Sequence, residues 1–272
     1  MKDYAEQAQI EALEQEVAAL RARCESTERA LEAERAARQA FVSLVTHELR
    51  TPLTSIKGYT DLLLKGIMGP VNDAQENFLQ TIRSNVGRMS RMLSDLSDIN
   101  KIEGERLALN LEPVAVAPAV EKALGDFQDQ IERKSQTLNV TLPPDLPPVR
   151  CDRERLIQIL GNLMRNAVTY TPEGGSIEVT VEANTDQNRV RMTVADDGIG
   201  IPADEQDRIF EPFFRASDEK TRQSPGNGLA LHLTQQLLAL QDGAIDFESE
   251  RGVGTTFWLT LPLAQEGGAN HQ

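Results

Sequence analysis

The sequence predicts an α+β multidomain protein, in which a coiled coil leads into a helical hairpin and an α/β two-layer sandwich follows. Three observations predict this architecture. Apolar residues recur at alternating spacings of three and four through the first 45 residues, two amphipathic segments flank a glycine-rich break, and helical and strand patterns alternate after residue 110. The predicted parts are a parallel coiled coil at 1–39, a hairpin at 40–110, the sandwich at 111–264 and a disordered polar tail at 265–272.

The first segment has a heptad pattern that stays in phase into the hairpin, which predicts a parallel dimeric coiled coil. Polar residues on its seam either loosen the coil or mark a shift of register. A purely structural stalk and a rod that transmits a signal are equal alternatives. The seam positions are Ile10, Leu13, Val17, Leu20, Cys24, Thr27, Leu31, Glu34, Arg38, Phe41 and Val45.

His47 is one of only three histidines, and Glu48 follows it directly in a helical run. Val45 and Leu49 lie about 200° around the helix from His47, so His47 faces solvent if they face the core. An adjacent carboxylate can hold the proton on one ring nitrogen and leave the other free to attack an electrophile. Pro52 has no N–H and predicts a bend one turn later. On these residues alone, an ordinary surface histidine is the alternative.

The first helix should end near residue 65, where glycines at 66–70 break it, and a second amphipathic helix follows. Two such helices expose too much apolar surface for a monomer, so we expect two chains to form a dimeric four-helix bundle. An alternating segment at 107–113 then predicts an extended linker. The apolar stripe of the second helix is Phe78, Ile82, Val86, Met89, Leu93, Leu96 and Ile99.

In the last large segment, helices and strands interleave with short connections, which predicts the two-layer sandwich. Its expected elements are helices at 117–133 and 152–170, a helix start near Gly228, and strands at 138–142, 177–182, 189–195, near Ile245 and near Thr256.

Polar residues in this segment suggest a ligand site. Asn162 and Asn166 lie four residues apart on one helix face, where amide oxygens could bind Mg²⁺, although a solvated stripe is the simpler reading. Asp196 ends a strand before Gly198 and Gly200, and its carboxylate could accept a hydrogen bond from an exocyclic amine. The glycines at 226 and 228 open a helix, whose free N–H groups would favour phosphate.

The run His47-Glu48-Leu49-Arg50-Thr51-Pro52-Leu53 resembles the phosphoacceptor box of the sensor histidine kinases of two-component signalling. The resemblance extends over about 40–262, with later motifs in the family's order. It implies that His47 takes the γ-phosphoryl group of ATP and passes it to an aspartate of a response-regulator receiver domain. By the same resemblance Glu48 orients His47, Arg50 neutralises phosphate charge, and Thr51 with Glu48 helps dephosphorylate the regulator.

The resemblance also implies a sandwich of the histidine-kinase/Hsp90/gyrase ATPase type that binds ATP and Mg²⁺. Asn166 is then the Mg²⁺ ligand, Asp196 binds the adenine amino group, and residues 216–225 form a lid over the triphosphate. The other residues expected to bind nucleotide are Asn162, Tyr170, Gly198, Gly200, Ile201, Phe210, Gly226, Gly228, Leu229 and Thr256.

Two residues depart from the family pattern: Thr169 stands where a lysine is usual, and Ala230 where a glycine is usual. One hypothesis is that Lys220, Arg222 or Arg215 supplies the missing charge. A second is that the chain is a degenerate module that binds a receiver domain or removes its phosphate, with weak ATP turnover. A third is a different ATPase of the gyrase, Hsp90 and mismatch-repair group.

Composition limits the partners and the location. The formal charge of −14 argues against nucleic acid, and Cys24 and Cys151 form no metal or redox spacing, as in a reducing compartment. The sequence has no long apolar run and no apolar stretch after Met1, which predicts a chain without a membrane span or secretion signal. We therefore expect a cytoplasmic chain, or the cytoplasmic part of a longer membrane-bound receptor. The hairpin predicts a homodimer, and the resemblance implies control by an upstream sensor domain or sensor protein.

Overall fold

The chain divides into two compact units between Arg106 and Leu107. The computed structural model describes residues 2–218, 221 and 226–264, and their side chains apart from those of 2–19 and 22. The predicted tail lies outside these residues. The division falls slightly before the predicted one at 110, because Arg106 still donates to Gln39 Oε1 at 3.1 Å in the first unit. The Asn110 amide donates to Asp152 Oδ2 at 3.0 Å in the second.

The first unit is a helical hairpin of α1 (Lys2–Leu64) and α2 (Asp73–Glu103). Helix α1 continues through Pro52, so the predicted bend there stays a prediction. Gly66 has a φ of 69° in the connection, a conformation that glycine adopts easily. Asn72 then starts α2 with a capping box, in which its side chain accepts from the Gln75 amide.

The interior of the hairpin is narrow. Among the described side chains of α1, the buried ones are Thr46, Leu53 and Thr60, seven residues apart, and Leu53 packs in one cluster with Val86 and Leu93 of α2. The expectation that Leu49 and Val45 face the core differs from this arrangement: within one chain Leu49 is exposed and Val45 half-buried. The reason is that the buried stripe runs through Thr46, one position along.

A second apolar surface of the hairpin, which we call the outer stripe, remains uncovered within one chain. A two-helix hairpin cannot enclose both of its apolar surfaces, because each helix has only one neighbour. The outer stripe comprises Phe41, Leu44, Leu49, Ile56, Tyr59, Leu62, Phe78, Ile82 and Met89. Leu20 and Leu31 of the predicted seam are also exposed, whereas the side chains of Ile10, Leu13 and Val17 lie outside the described set.

The second unit is built on a five-stranded sheet of order β2-β4-β5-β7-β6. Strands β2 and β4 pair in parallel and the other neighbours are antiparallel. A separate two-stranded sheet joins β1 to β3. The strands are β1 (Glu112–Val114), β2 (Thr137–Thr141), β3 (Val149–Cys151), β4 (Ser176–Asn184), β5 (Arg189–Asp196), β6 (Ala244–Glu250) and β7 (Gly254–Pro262).

Helices cover one face of the sheet and complete the predicted two-layer sandwich. They are α3 (Val116–Gly125), α4 (Gln128–Arg133), α5 (Arg153–Tyr170) and α6 (Ala230–Ala239), with a 3₁₀ turn at Ala203–Arg208. Helix α5 turns its apolar side inward, where Leu156, Ile159 and Leu163 are fully buried. Asp152 caps it by accepting from two amides of the first turn.

Two expectations for this unit were wrong. The helix predicted at 117–133 is two helices, because Gly125 ends α3 and Phe127 then turns its ring into the core, 3% exposed. The segment predicted as a linker at 107–113 includes most of β1, which pairs with β3. Among the described residues, no helix has the length and apolar character needed to span a membrane.

Candidate functional site

His47 lies on the surface of α1 with its side chain 75% exposed. Its Nδ1 is 3.3 Å from Glu48 Oε1. Because an ionised carboxylate can only accept a hydrogen bond, this contact places the ring proton on Nδ1. The lone pair then resides on Nε2, which makes Nε2 the nucleophilic atom.

Arg50 and Thr51 follow His47 by three and four residues, so the three side chains lie along one side of α1. Both are exposed. Thr46, one residue before His47, is buried, and its hydroxyl has no partner among the described residues. His47 lies about 100° around the helix from the buried Thr46, which leaves its ring in solvent, whereas Arg50, about 40° from Thr46, reaches solvent from the edge of the buried stripe.

The second unit brings several predicted residues together where β5 and α5 end and β7 begins. Asp196 is the last residue of β5, and its Oδ1 accepts from the Gly198 amide at 2.9 Å. Burial raises the pKa of Asp196 to about 6, with a further increase from Asp197, while hydrogen bonds from the Gly198 and Thr255 amides oppose the rise. Near neutral pH this half-buried carboxylate is an ionised acceptor.

The loop after Asp196 is held from two sides. The Ile199 amide donates to the carbonyl of Tyr170, the last residue of α5, at 3.3 Å, and the Ile201 amide donates to Ser249 Oγ at 2.8 Å. Gly200 has a φ of 65°, and a Cβ there would lie 2.0 Å from the Glu250 carbonyl oxygen. Only glycine fits this close approach of two backbones.

The two asparagines of α5 have different environments. Asn162 is buried, and its Nδ2 donates to the Ala230 carbonyl at 3.4 Å and to Thr234 Oγ1 at 3.3 Å, both in α6. Asn166 is half-buried, and its amide has no hydrogen-bond partner among the described residues. Asn162 therefore joins α5 to α6, while Asn166 can offer its oxygen to a ligand.

Arg215 connects three of the predicted nucleotide segments. It hydrogen-bonds the Tyr170 side chain, and it donates to the Thr221 carbonyl in the predicted lid. Burial raises the pKa of the Tyr170 phenol, and the charge and hydrogen bond of Arg215 oppose this rise. The Cβ position of Gly226 is 3.8 Å from the guanidinium. Lys220 and Arg222, the other two cations considered, lie outside the described residues.

The first residues of the lid are bound to neighbouring parts of the second unit. The Ser217 amide donates to the Glu205 carboxylate at 3.0 Å, and Arg251 pairs with Asp218 at 3.4 Å. These contacts connect the lid to the 3₁₀ turn and to the β6–β7 connection.

Helix α6 begins after a turn in which the Leu229 amide donates to Asn227 Oδ1 at 3.1 Å. Gly228 has a φ of 69°, and a Cβ there would lie 2.4 Å from the Phe214 carbonyl oxygen. Ala230 is not among the residues with positive φ, so its methyl group imposes no backbone strain.

Phe210 is half-buried against Phe247, with ring centroids 6.0 Å apart. Its carbonyl accepts from His232 Nδ1 at 3.0 Å, and Gln236 Nε2 lies 2.9 Å from the other ring nitrogen. His232 is therefore engaged within the fold at both nitrogens.

Thr256 is not brought to this cluster. It pairs with Ala195, whereas Thr255 pairs with Asp196 and hydrogen-bonds it through its amide. Neighbouring residues of a strand point to opposite faces, so Thr255 is the threonine on the face of Asp196. Thr255 lies two residues before Phe257 and therefore on the same face of the strand, so the alternation of the strand could have identified Thr255 as the residue at this site.

The donors present could accommodate Mg²⁺ only alongside a ligand that brings oxygen atoms. Among the described residues, no group of three or more His, Cys, Asp or Glu could hold a metal ion. Asn166 can supply one amide oxygen, and Mg²⁺ commonly completes its octahedron with phosphate oxygens and water. The residues therefore fit a metal that binds together with a nucleotide.

We predict that Gly200→Ala will lower the free energy of unfolding of the second unit by more than about 2 kcal/mol, because the methyl group meets a carbonyl at positive φ. Gly226→Ala is the control, because its nearest non-local atoms are 3.8 Å away. Urea unfolding followed by Trp258, the chain's single tryptophan, measures both variants. Equal stability of the two would contradict the assigned loop geometry.

Two family descriptions match the chain, one in each unit. Residues 37–105 match the His Kinase A (phospho-acceptor) domain, which contains His47. Residues 151–265 match the histidine kinase-, DNA gyrase B-, and HSP90-like ATPase, which contains α5, β5 and α6.

Known proteins resemble the chain over most of its length. Sensor histidine kinase AtsR of Burkholderia thailandensis is 36% identical over 263 residues, which cover 95% of this chain and 42% of AtsR. The chain spans only 30–50% of the length of such curated relatives.

Two solved structures extend this likeness. Full-length ShkA in complex with AMPPNP matches with a TM-score of 0.61 and 30% identity, covering 82% of this chain and 45% of ShkA. The Acinetobacter baumannii histidine kinase AdeS matches with a TM-score of 0.56 and 25% identity, covering 80% and 98%. The exposed histidine with its carboxylate, the two domain matches in this order and these relatives together show that the chain belongs to the sensor histidine kinases of two-component systems.

Proposed function

We propose that this chain is the catalytic core of an ATP-dependent protein-histidine kinase. It autophosphorylates His47 and transfers the phosphoryl group to an aspartate on a response-regulator receiver domain. The observation that carries the proposal is the exposed His47, whose Nδ1 faces Glu48 and whose Nε2 is left as the nucleophile. The match of residues 151–265 to an ATPase domain supports ATP as the phosphoryl donor.

In the proposed reaction, the Nε2 lone pair forms a bond to the γ-phosphorus of ATP. The bond from that phosphorus to the β–γ bridging oxygen breaks, and ADP leaves with the electron pair. Glu48 stabilises the positive charge that develops on the ring, and Arg50 neutralises phosphoryl charge from the same side of α1. Phosphoryl transfer depends mainly on such positioning and charge neutralisation.

The second unit would bind the nucleotide. The half-buried Asp196 carboxylate accepts a hydrogen bond from the adenine amino group, and the loop of Gly198, Gly200 and Ile201 lies along the base. The start of α6 at Gly228 offers N–H groups to phosphate. Asn166 would hold Mg²⁺, which neutralises triphosphate charge when bound. Arg215 supplies the positive charge that the usual lysine would provide at the position of Thr169. Its guanidinium already hydrogen-bonds the Tyr170 side chain and the lid, and it lies beside Gly226.

The proposed partners follow from the first unit. A second copy of the chain covers the outer stripe and completes a four-helix bundle, and the coiled coil connects it to an upstream sensor domain or protein. The regulator docks beside His47, where Thr51 with Glu48 helps position a water that hydrolyses its phospho-aspartate. The rate at which a labelled receiver loses phosphate with Thr51→Ala checks this role. We place the kinase in the cytoplasm.

Incubation with Mg²⁺ and γ-labelled ATP should label the wild-type chain with acid-labile, alkali-stable phosphate, as expected of a phosphoramidate. His47→Gln should abolish the label because it removes the nucleophile, while His271→Gln, the same change in the tail, and Thr51→Ala should keep it. Absence of label in a folded wild type that binds ATP would instead support the degenerate receiver-binding module. Steady ATP hydrolysis without label would support another ATPase.

ATP binding should weaken as the pH falls through about 6. The pKa of Asp196 is about 6 in the free protein, and a bound amine donor favours the carboxylate and lowers that pKa. Binding is therefore coupled to proton release below about pH 6, and affinity should fall up to about tenfold per pH unit there. Calorimetric titration at several pH values measures the effect.

Asp196→Asn is the control for this titration. It should bind ATP weakly at pH 7.5, and it should keep only the pH dependence that comes from the phosphates themselves. A wild-type profile that matches the Asn variant would contradict the role of Asp196.

Arg215→Ala should raise the Kd for Mg·ATP on the order of tenfold, because it removes a charged contact of the bound phosphates. Arg153→Ala, the same change at an exposed arginine on α5, is the control, and should leave Kd unchanged. The same titration tests both variants, and unchanged affinity in Arg215→Ala would show that the missing charge is supplied elsewhere.

A further inference from the structure

The C-terminal end of α5 needs partners for its last carbonyl groups. The helix ends at Tyr170, and Thr171 leaves it in an extended conformation. The last turn contains no basic residue of its own. An α-helix leaves its final carbonyls without intrahelical partners, and they carry the negative end of the helix dipole.

Lys134, which follows α4, supplies a cation to this end. Its Nζ donates to the carbonyls of Val168 at 2.6 Å, Thr169 at 3.2 Å and Thr171 at 2.8 Å. An ammonium group has three N–H donors, so all three are used. Burial lowers the pKa of Lys134, and the nearby Glu173 carboxylate opposes this.

Gln136, two residues later, holds the same segment. Its Nε2 donates to the carbonyls of Thr171 at 2.8 Å, Val168 at 3.2 Å and Pro172 at 3.3 Å. The side chain is buried. The Thr169 carbonyl accepts a hydrogen bond from Lys134 but not from Gln136.

The end of α5 is in turn connected to the loop after Asp196, which is proposed to lie along adenine. The Tyr170 carbonyl accepts from the Ile199 amide, which lies between Gly198 and Gly200. Asn166 lies one turn earlier on the same helix. A displacement of the last turn would therefore move the proposed Mg²⁺ ligand and the loop beside Asp196 together.

We propose that Lys134 is a positioning residue for nucleotide binding: by binding three carbonyls at the end of α5, its ammonium holds Asn166, Tyr170 and the Asp196 loop in their binding arrangement. This role rests on the proposed function of the second unit as an ATP site. Lys134 lies outside every sequence motif that identified that site, and it acts through α5 without touching the nucleotide.

The test compares the chain of residues 1–272 with Lys134→Met, which keeps the apolar stem and removes the charge, and with Lys134→Arg, which restores it. Lys122→Met, the same change at an exposed lysine of α3, is the matched control. Titration with Mg·ATP at a temperature where Trp258 fluorescence shows every variant folded should give a Kd on the order of tenfold higher for Lys134→Met. Lys134→Arg should recover most of the affinity, and Lys122→Met should match wild type.

Hydrogen exchange without nucleotide gives a second readout, which does not depend on the proposed function. In Lys134→Met the amides of Thr171 and Ile199 should exchange faster, while those in the middle of α5 keep their protection. If the wild type fails to bind ATP, the proposed function fails, and exchange still tests whether Lys134 holds the loop.

Unchanged affinity and exchange in folded Lys134→Met would overturn the proposal, as would an equal loss in Lys122→Met. If Lys134→Met does not fold, Lys134→Gln takes its place, because its neutral amide keeps two donors. Wild-type affinity and exchange in that variant would also overturn the proposal.

Discussion

The second unit depends on where the end of α5 places its carbonyl groups. A helix end that leaves polar backbone groups unbonded in a protein interior is costly, so those groups must find partners. Here the partners belong to two segments distant in sequence, Lys134 with Gln136 and the loop at Ile199. Satisfying the backbone of one helix therefore also fixes the spacing of the residues proposed to bind adenine and Mg²⁺.

The two proposed reactive regions use opposite environments. His47 and Glu48 are both mostly exposed, so their contact adds little to stability and serves instead to orient the ring. Asp196 is half-buried, which raises its pKa to about 6, and the Gly198 and Thr255 amides keep it usable as an acceptor. An exposed nucleophile suits transfer between large partners, while a half-buried acceptor suits selection of a small base.

Local pattern predicted most of the fold, and the family resemblance named most residues of the proposed site. The α5 helix, strands β4 and β5 and the hairpin lie close to where periodicity placed them. The helix predicted at 117–133 failed because continued periodicity concealed the break at Gly125, and β1 was missed because a three-residue strand has too little pattern to detect. His47 was expected to face solvent if Val45 and Leu49 face the core; His47 is exposed, while the buried stripe of α1 runs through Thr46 instead.

By itself, the sequence determined the order of the domains, the histidine with its carboxylate, and the glycines whose absence of a side chain the loops require. These are local properties, decided by residues close together in the chain. Only the tertiary structure decided that Asn162 bonds α6 while Asn166 stays available, that Thr255 and not Thr256 pairs with Asp196, and that Lys134 closes the end of α5. Each depends on partners distant in sequence, and periodicity cannot show which distant group a polar side chain will meet.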